Sequence, residues 1–365
     1  MLLAETAKNK NKPAPLYTQC SGRNHFSALC HILEWLGIII VDLLTIKFKT
    51  SILRTHADAL NFIFRGFRLK SHTPLSTHIF LLTTCFLWAV SFIAVKIALS
   101  AAPPLTLVTL RMLISALCFM VWILIYGLPA LPKEPKIWLQ LFTLSLFGTG
   151  LHYGIQTMGL QYTPASNASI YAVTGPISIT LIATFYLKEK ITLKKGIGIS
   201  IALIGVLIVM GIETLRSFDL KGHLLGDILV IVSIAMWGVF TVYGKRLMDE
   251  MGALEVIALT TIIGSIWMIP IGWAESHWQG FNLSSITLAS WAAIAYLGIT
   301  CSFVATWLYF MALQKTEAQK VGIYFYTIPP MTYVIAAFYL GEKIGLNLLI
   351  GSVLVLAGVY LTERG

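Results

Sequence analysis

Four hydroxyl side chains stand beside prolines within long apolar stretches: Tyr171 and Thr174 precede Pro176, and Tyr324 and Thr327 precede Pro329 and Pro330. Proline removes a backbone donor and frees the carbonyl about four residues back, so polar backbone and hydroxyls gather at one depth of an otherwise apolar helix. Such a spot suits reversible binding of a small polar molecule, with Pro176, Pro329 and Pro330 as points of helix break and gating. Trp88 and Trp237 each lie about ten residues into an apolar stretch, near mid-bilayer depth at ~1.5 Å per residue. That is away from the interfacial belt where tryptophan is usually enriched, so they either line a cavity or pack a core; Trp307 is a third candidate. His152 and Gln156 are spaced to share one helix face. The histidine reads either as a titrating group or as a neutral, hydrogen-bonded structural one. Arg111 and Lys96 each suit an anion or a structural pairing, and Lys96, like Lys245, also closes its stretch, where a cation favours the helix dipole and can snorkel.

The residues that are absent narrow the chemistry further. No Asp or Glu falls in the middle third of any apolar stretch; Asp227 and Glu255 sit near the starts of theirs. Exchange of a lipophilic cation for protons needs a buried carboxylate, so neutral, zwitterionic or anionic solutes are favoured, and any proton coupling would fall on His152 or on the solute. No HExxH, twin-Asp or GxxxxGK[ST] arrangement occurs, and the glycine runs Gly148-x-Gly150 and Gly196-x-Gly198 read as close helix packing. Cys20, Cys30, Cys85, Cys118 and Cys301 show no C-x-x-C spacing. No cofactor, metal or catalytic residue is expected.

These residues must be positioned by membrane-spanning helices. The chain is 57% hydrophobic and 12% charged with a mean hydropathy of +0.80, outside the range of soluble domains. Ten apolar stretches are long enough to cross, at 78–100, 104–126, 137–159, 163–187, 193–211, 223–246, 253–274, 287–311, 318–340 and 345–362. They fall into two copies. Residues 170–191 and 323–344 are identical at 12 of 22 positions at an offset of 153, and Trp88 with Lys96 recurs as Trp237 with Lys245 at an offset of 149. Five spans per copy is an odd number, which makes the second copy enter the membrane from the opposite side and places a solute site where the copies meet.

The formal charge is +10, with ten Lys or Arg against four Asp or Glu in residues 1–76. Elsewhere the cations favour alternate loops: Lys133, Lys136, Lys188, Lys190, Lys194, Lys195, Lys245, Arg246, Lys315 and Lys320 fall on one side, and Arg216, Lys221 and Lys343 on the other. The positive-inside rule then puts both termini in the cytoplasm. The balance gives no reason to invoke nucleic acid. Residues 1–76 read as a basic N-terminal extension, disordered over 1–28, in which Leu29 to Ile46 and Ser51 to Lys70 suit either interfacial helices on the inner leaflet or an eleventh span followed by a basic amphipathic helix.

A Trp about ten residues into the first span, a Lys near its end (Lys96), Pro104 opening the second span, Arg111 seven residues on, and Glu189-Lys190 and Glu342-Lys343 closing the fourth and ninth spans together resemble the drug/metabolite transporter superfamily in its EamA-domain form. The resemblance covers residues 77–363. It implies an all-α integral membrane protein of ten helices in two inverted five-helix repeats, 77–211 and 223–363, exporting or taking up small metabolites such as amino acids or their relatives. The expected activity is secondary transport of a small solute across a cell membrane by alternating access. A lipid flippase or scramblase, or a membrane-embedded enzyme, is the rival class. The residues favour neither a monomer nor a homodimer.

Overall fold

The computed structural model describes residues 74–127, 131–163, 168, 171–172, 174–216, 220–340 and 346–365. The expected interfacial helices of the N-terminal extension and the Glu342-Lys343 pair lie outside the described residues. Every regular element among those residues is helical. The first half holds α1 (Leu75–Leu99), α2 (Pro104–Tyr126), α3 (Pro135–Ser145), α4 (His152–Tyr162), α5 (Thr174–Tyr186) and α6 (Leu193–Arg216). The second holds α7 (Leu220–Leu247), α8 (Ala253–Trp278), α9 (Leu288–Tyr296), α10 (Thr306–Leu313), α11 (Ala318–Gly322), α12 (Ile328–Leu340) and α13 (Leu346–Glu363).

Local sequence explains the ends and breaks. Pro103 and Pro104 cannot continue α1 but suit the first turn of α2, which stops at Gly127, at a φ of 98° that disfavours a side chain. Between α3 and α4 the chain runs on as a π-helix, Leu146–Leu151, and between α9 and α10 it does so again over Leu297–Ala305. At the 153-residue offset these widened turns overlap, so both copies carry the same defect. Pro329 and Pro330 open α12 after a 3-10 turn, Ile323–Thr327, and Pro176 lies in the first turn of α5.

Six helices among the described residues are long and apolar enough to cross a bilayer: Leu75–Leu99, Pro104–Tyr126, Leu224–Leu247, Ala253–Trp278, Leu288–Leu313 and Leu346–Glu363. The other stretches drawn from hydropathy are also helical where described: 193–211 lies within the continuous apolar helix α6, and 137–159 is more polar and widened by its π-helix. Proline and the 3-10 turn divide 318–340, and the uninterrupted part of 163–187 is only Thr174–Tyr186. The outer faces are apolar. On α2 Leu113, Leu117, Met120, Val121 and Leu124 form an exposed stripe, while Leu107, Met112, Ala116 and Phe119 are buried against neighbours. Such a stripe would be a liability in water and is the ordinary surface of a helix in lipid.

Packing exchanges the two copies. Helix α1 lies against α9, α10 and the π-helix between them, and α7 lies against α4 and the π-helix before it, so each opening helix packs on the third segment of the other half. The second helices meet each other: Thr109 donates to the Met268 carbonyl at 3.1 Å and Ser265 to that of Met112 at 2.9 Å, a pairing that runs antiparallel. So do the last helices. Gly198 abuts Gly358 and Gly205 abuts Gly351, closely enough that a Cβ on Gly205 would stand 2.7 Å from the Val355 amide nitrogen and 2.8 Å from the Gly351 carbonyl oxygen.

The paired lysines do not snorkel. Lys96 Nζ donates to the Thr163 carbonyl at 2.9 Å and to that of Leu160, and Lys245 Nζ donates to the Leu313 carbonyl at 2.8 Å and to that of Thr316. Each lysine caps the C-terminal carbonyls of the third segment in its own half, groups that the end of a helix leaves without donors. Lys245→Met is expected to cost about 1–3 kcal/mol, the penalty for stranding buried acceptors, and Lys245→Arg less. A thermal melt in detergent checks this; a snorkelling lysine would tolerate both changes.

Candidate solute-binding site

A cavity with about 560 Å³ of empty space, its mouth included, opens where the halves meet. Of the residues singled out in the sequence, Trp88, Arg111, His152, Gln156 and Trp237 line it. Trp88 and Trp237 occupy equivalent places in the two copies and meet edge to face, with ring centroids 5.2 Å apart. The Trp88 indole nitrogen reaches toward the Cys301 carbonyl at 3.4 Å, and its ring also contacts Tyr309 and Phe325 at 5.4 and 5.5 Å. Aromatic pairs with this geometry add to the apolar area they bury and hold each other in place.

His152 follows directly on the first π-helix, and its Nδ1 lies 2.7 Å from the Ser233 carbonyl oxygen. A carbonyl only accepts, so Nδ1 carries a proton, and in the neutral form of the ring Nε2 is then the acceptor. The ring also lies 5.0 Å from that of Trp237. Arg111, a residue only 2% exposed, donates from Nε to Ser302 Oγ at 3.0 Å, and its guanidinium carbon sits 4.0 Å over the ring of Tyr153. Ser302 belongs to the second π-helix. Widened turns of this kind re-aim side chains, and here one precedes His152 while the other carries the Arg111 partner.

The remaining candidates lie elsewhere: Tyr171, Thr174, Tyr324 and Thr327 are not among the residues that line this cavity. Thr174 Oγ1 donates to the Tyr171 carbonyl at 2.7 Å and Thr327 Oγ1 to that of Tyr324 at 2.6 Å. These hydroxyls satisfy the backbone beside the proline breaks instead of a solute. The Tyr324 hydroxyl hydrogen-bonds His78 Nδ1, and the Tyr171 hydroxyl faces the Asp227 carboxylate, which accepts from Thr163 Oγ1 at 2.6 Å. His78 and Asp227 are equivalents at the 149-residue offset. Each tyrosine therefore ties its own half to the opening helix of the other. Trp307 stacks on Phe303 at 6.2 Å and does not line the cavity. Pro176, Pro329 and Pro330 are buried helix-opening residues outside the lining. Glu189 accepts from the Ala318 and Gln319 amides at 2.8 and 3.1 Å and so caps α11.

Tyr153, Ser302, Phe325, Ser91, Phe92 and Ile234 had not been singled out by sequence. A signal for some of them was available in the differences between copies. The lining residues Ser91, Gln156 and Ala172 correspond to Phe240, Tyr309 and Phe325, so aromatic rings fill in the second half the space that stays open in the first. Arg111 and His152 correspond to Thr260 and Ala305. The cavity is thus polar on one side only. Among the described residues no group of His, Cys, Asp and Glu is placed to hold a metal ion.

Residues 75–211 and 224–364 each match the EamA-like transporter family. A relative from Archaeoglobus fulgidus that carries the name uncharacterized transporter is 32% identical over 286 residues, covering 78% of this chain and 96% of its own. The uncharacterized transporter YvbV of Bacillus subtilis is 29% identical over 305 residues, covering 81% and 94%. A protein solved by crystallography superposes with a TM-score of 0.65 at 19% identity, over 80% of this chain and 98% of its own, which shows a shared fold.

Proposed function

Because this chain belongs to the EamA-like transporter family of the drug/metabolite transporter superfamily, we propose that it carries a small organic solute through the cavity between Trp88, His152, Gln156 and Trp237 by alternating access. One observation carries the reading. The cavity sits where equivalent residues of the two copies meet, is walled mainly by aromatic and aliphatic side chains, and offers a few convergent polar groups. Ten spans arranged as two inverted five-helix repeats complete it. The antiparallel crossings of α2 with α8 and of α6 with α13 support the inversion. Both termini face the cytoplasm, following the lysine and arginine bias of the loops.

Transport proceeds as the halves rock about the breaks at Pro176 and Pro329-Pro330. The Tyr171–Asp227 and Tyr324–His78 contacts close opposite ends of the path, since they join equivalent positions of inverted copies. The direction is export or facilitated passage, and no chemistry is done on the solute.

Purified protein in liposomes should accelerate the flux of at least one class of radiolabelled small metabolite over protein-free vesicles. The solute should also alter the fluorescence of Trp88 and Trp237, an effect lost in Trp88→Phe/Trp237→Phe. Scrambling of labelled lipid with no solute flux across a broad panel would overturn the proposal in favour of a lipid scramblase.

A further inference from the structure

Resting on the transporter reading, we propose that the solute carries a single carboxylate and that Arg111 is the group that takes it. Arg111 is buried, lines the cavity, and has its Nε held by Ser302 while the Tyr153 ring lies under the guanidinium. Those contacts fix the plane of the fork but supply no negative charge. Among the described residues no carboxylate lies within 4.0 Å of it and no hydrogen bond engages its two terminal nitrogens. A guanidinium kept from water without a counter-charge is costly, and stacking on a phenol ring offsets only part of that. The arrangement makes physical sense if the missing anion arrives with the cargo. Two parallel N–H donors held in one plane match the two oxygens of a carboxylate.

The rest of the lining restricts the class further. Among the described residues Arg111 is the only Lys or Arg that lines the cavity, so a phosphate dianion would enter with uncompensated charge. Among those residues no Asp or Glu lines it, so a cationic amine meets no carboxylate there. His152 adds one acceptor, suited to a hydroxyl or amide N–H on the same molecule. Trp88, Trp237 and Phe325 accept an apolar or aromatic body. The equivalent of Arg111 is Thr260, so a chain holds one such anchor, and the carboxylate must take one orientation in the cavity.

The test compares matched probes on the full chain: phenylacetate, phenylacetamide, phenethylamine and benzylphosphonate, with the hexanoate series as an aliphatic control. Tryptophan quenching measures binding, and flux is measured in liposomes. The expected result is a preference of at least tenfold for the carboxylates over their amides, amines and phosphonates. That ratio should fall toward one in Arg111→Gln and only partly in Arg111→Lys, because an ammonium cannot reproduce the fork. Should Arg111→Gln fail to fold, Ser302→Ala, which frees the guanidinium to rotate, is expected to reduce the same ratio. Equal handling of carboxylate and amide by the native protein, or an unchanged ratio in the folded variants, would overturn the anchor while leaving transport intact. Failure to move any class of solute would bring down both the anchor and the transport reading.

Discussion

Leucine in place of Gly351 is expected to eliminate folded protein. Helices α6 and α13 touch through two glycine pairs, and a Cβ on Gly351 would stand 2.5 Å from the Gly205 carbonyl oxygen and 2.7 Å from the Val209 amide nitrogen. Both obstacles are backbone, so no rotamer change relieves them; the helices have to part along the whole crossing. Lipid offers no hydrophobic force to hold them together once close contact is lost. Overfilling an ordinary core costs about 1–3 kcal/mol, and here the contacts on either side of the crossing are forfeited as well. Fluorescence-detected size-exclusion chromatography should show aggregate or no peak for Gly351→Leu and the same for Gly205→Leu. Gly196 provides the control, because a Cβ there meets nothing within 4 Å, and Gly196→Ala should keep the monodisperse peak. Normal yield of both leucine variants would mean that α6 and α13 do not cross as described.

Tyr171→Phe and Tyr324→Phe are expected to push the transporter in opposite directions. Tyr324 is bound to His78 at the start of α1, and Tyr171 faces Asp227 near the start of α7. If the copies are inverted, these positions lie toward opposite membrane faces. Loss of a buried hydroxyl contact to an ionisable partner is worth about 1–3 kcal/mol, which corresponds to a change of roughly 5–150-fold in a two-state balance. Cysteines introduced at each mouth of the cavity, labelled by an impermeant maleimide from each side, would report the shift. Tyr324→Phe should open the His78 end and Tyr171→Phe the Asp227 end. A shift of the same sign in both variants would remove the tyrosines from gating and leave them as simple packing contacts.

The frame was more legible in the sequence than the site, and the reason is physical. The residues that recur between copies, Lys96 with Lys245, Gly205 with Gly358, Thr174 with Thr327 and Tyr171 with Tyr324, do the same structural job twice, so comparing the copies reveals them. They cap helices, let backbones approach and satisfy carbonyls beside proline. A cavity for one solute has no need of symmetry. Gln156 against Tyr309 and Ala172 against Phe325 look like ordinary drift in a comparison, yet they decide which half is hollow. Trp88 and Trp237 were legible as candidates because they serve both purposes, meeting each other and lining the cavity. The π-helices had no reliable signal. Hydrophobic periodicity over a few residues does not register one additional residue in a turn, so the partnership of Arg111 with Ser302 became visible only in three dimensions.

The meeting of Trp88 with Trp237, and of Gly198 and Gly205 in α6 with Gly358 and Gly351 in α13, is the pattern of an isologous contact, in which one surface patch pairs with a second example of itself. Such contacts are those that a half-length protein makes when it associates with its own twin, here carried by one chain that holds both copies. With both copies in one chain their ratio is fixed, and neither has to mirror the other. A lone cation such as Arg111 is a gain that no strictly symmetric pair of identical subunits could have made, since any mutation in one would have appeared at once in both.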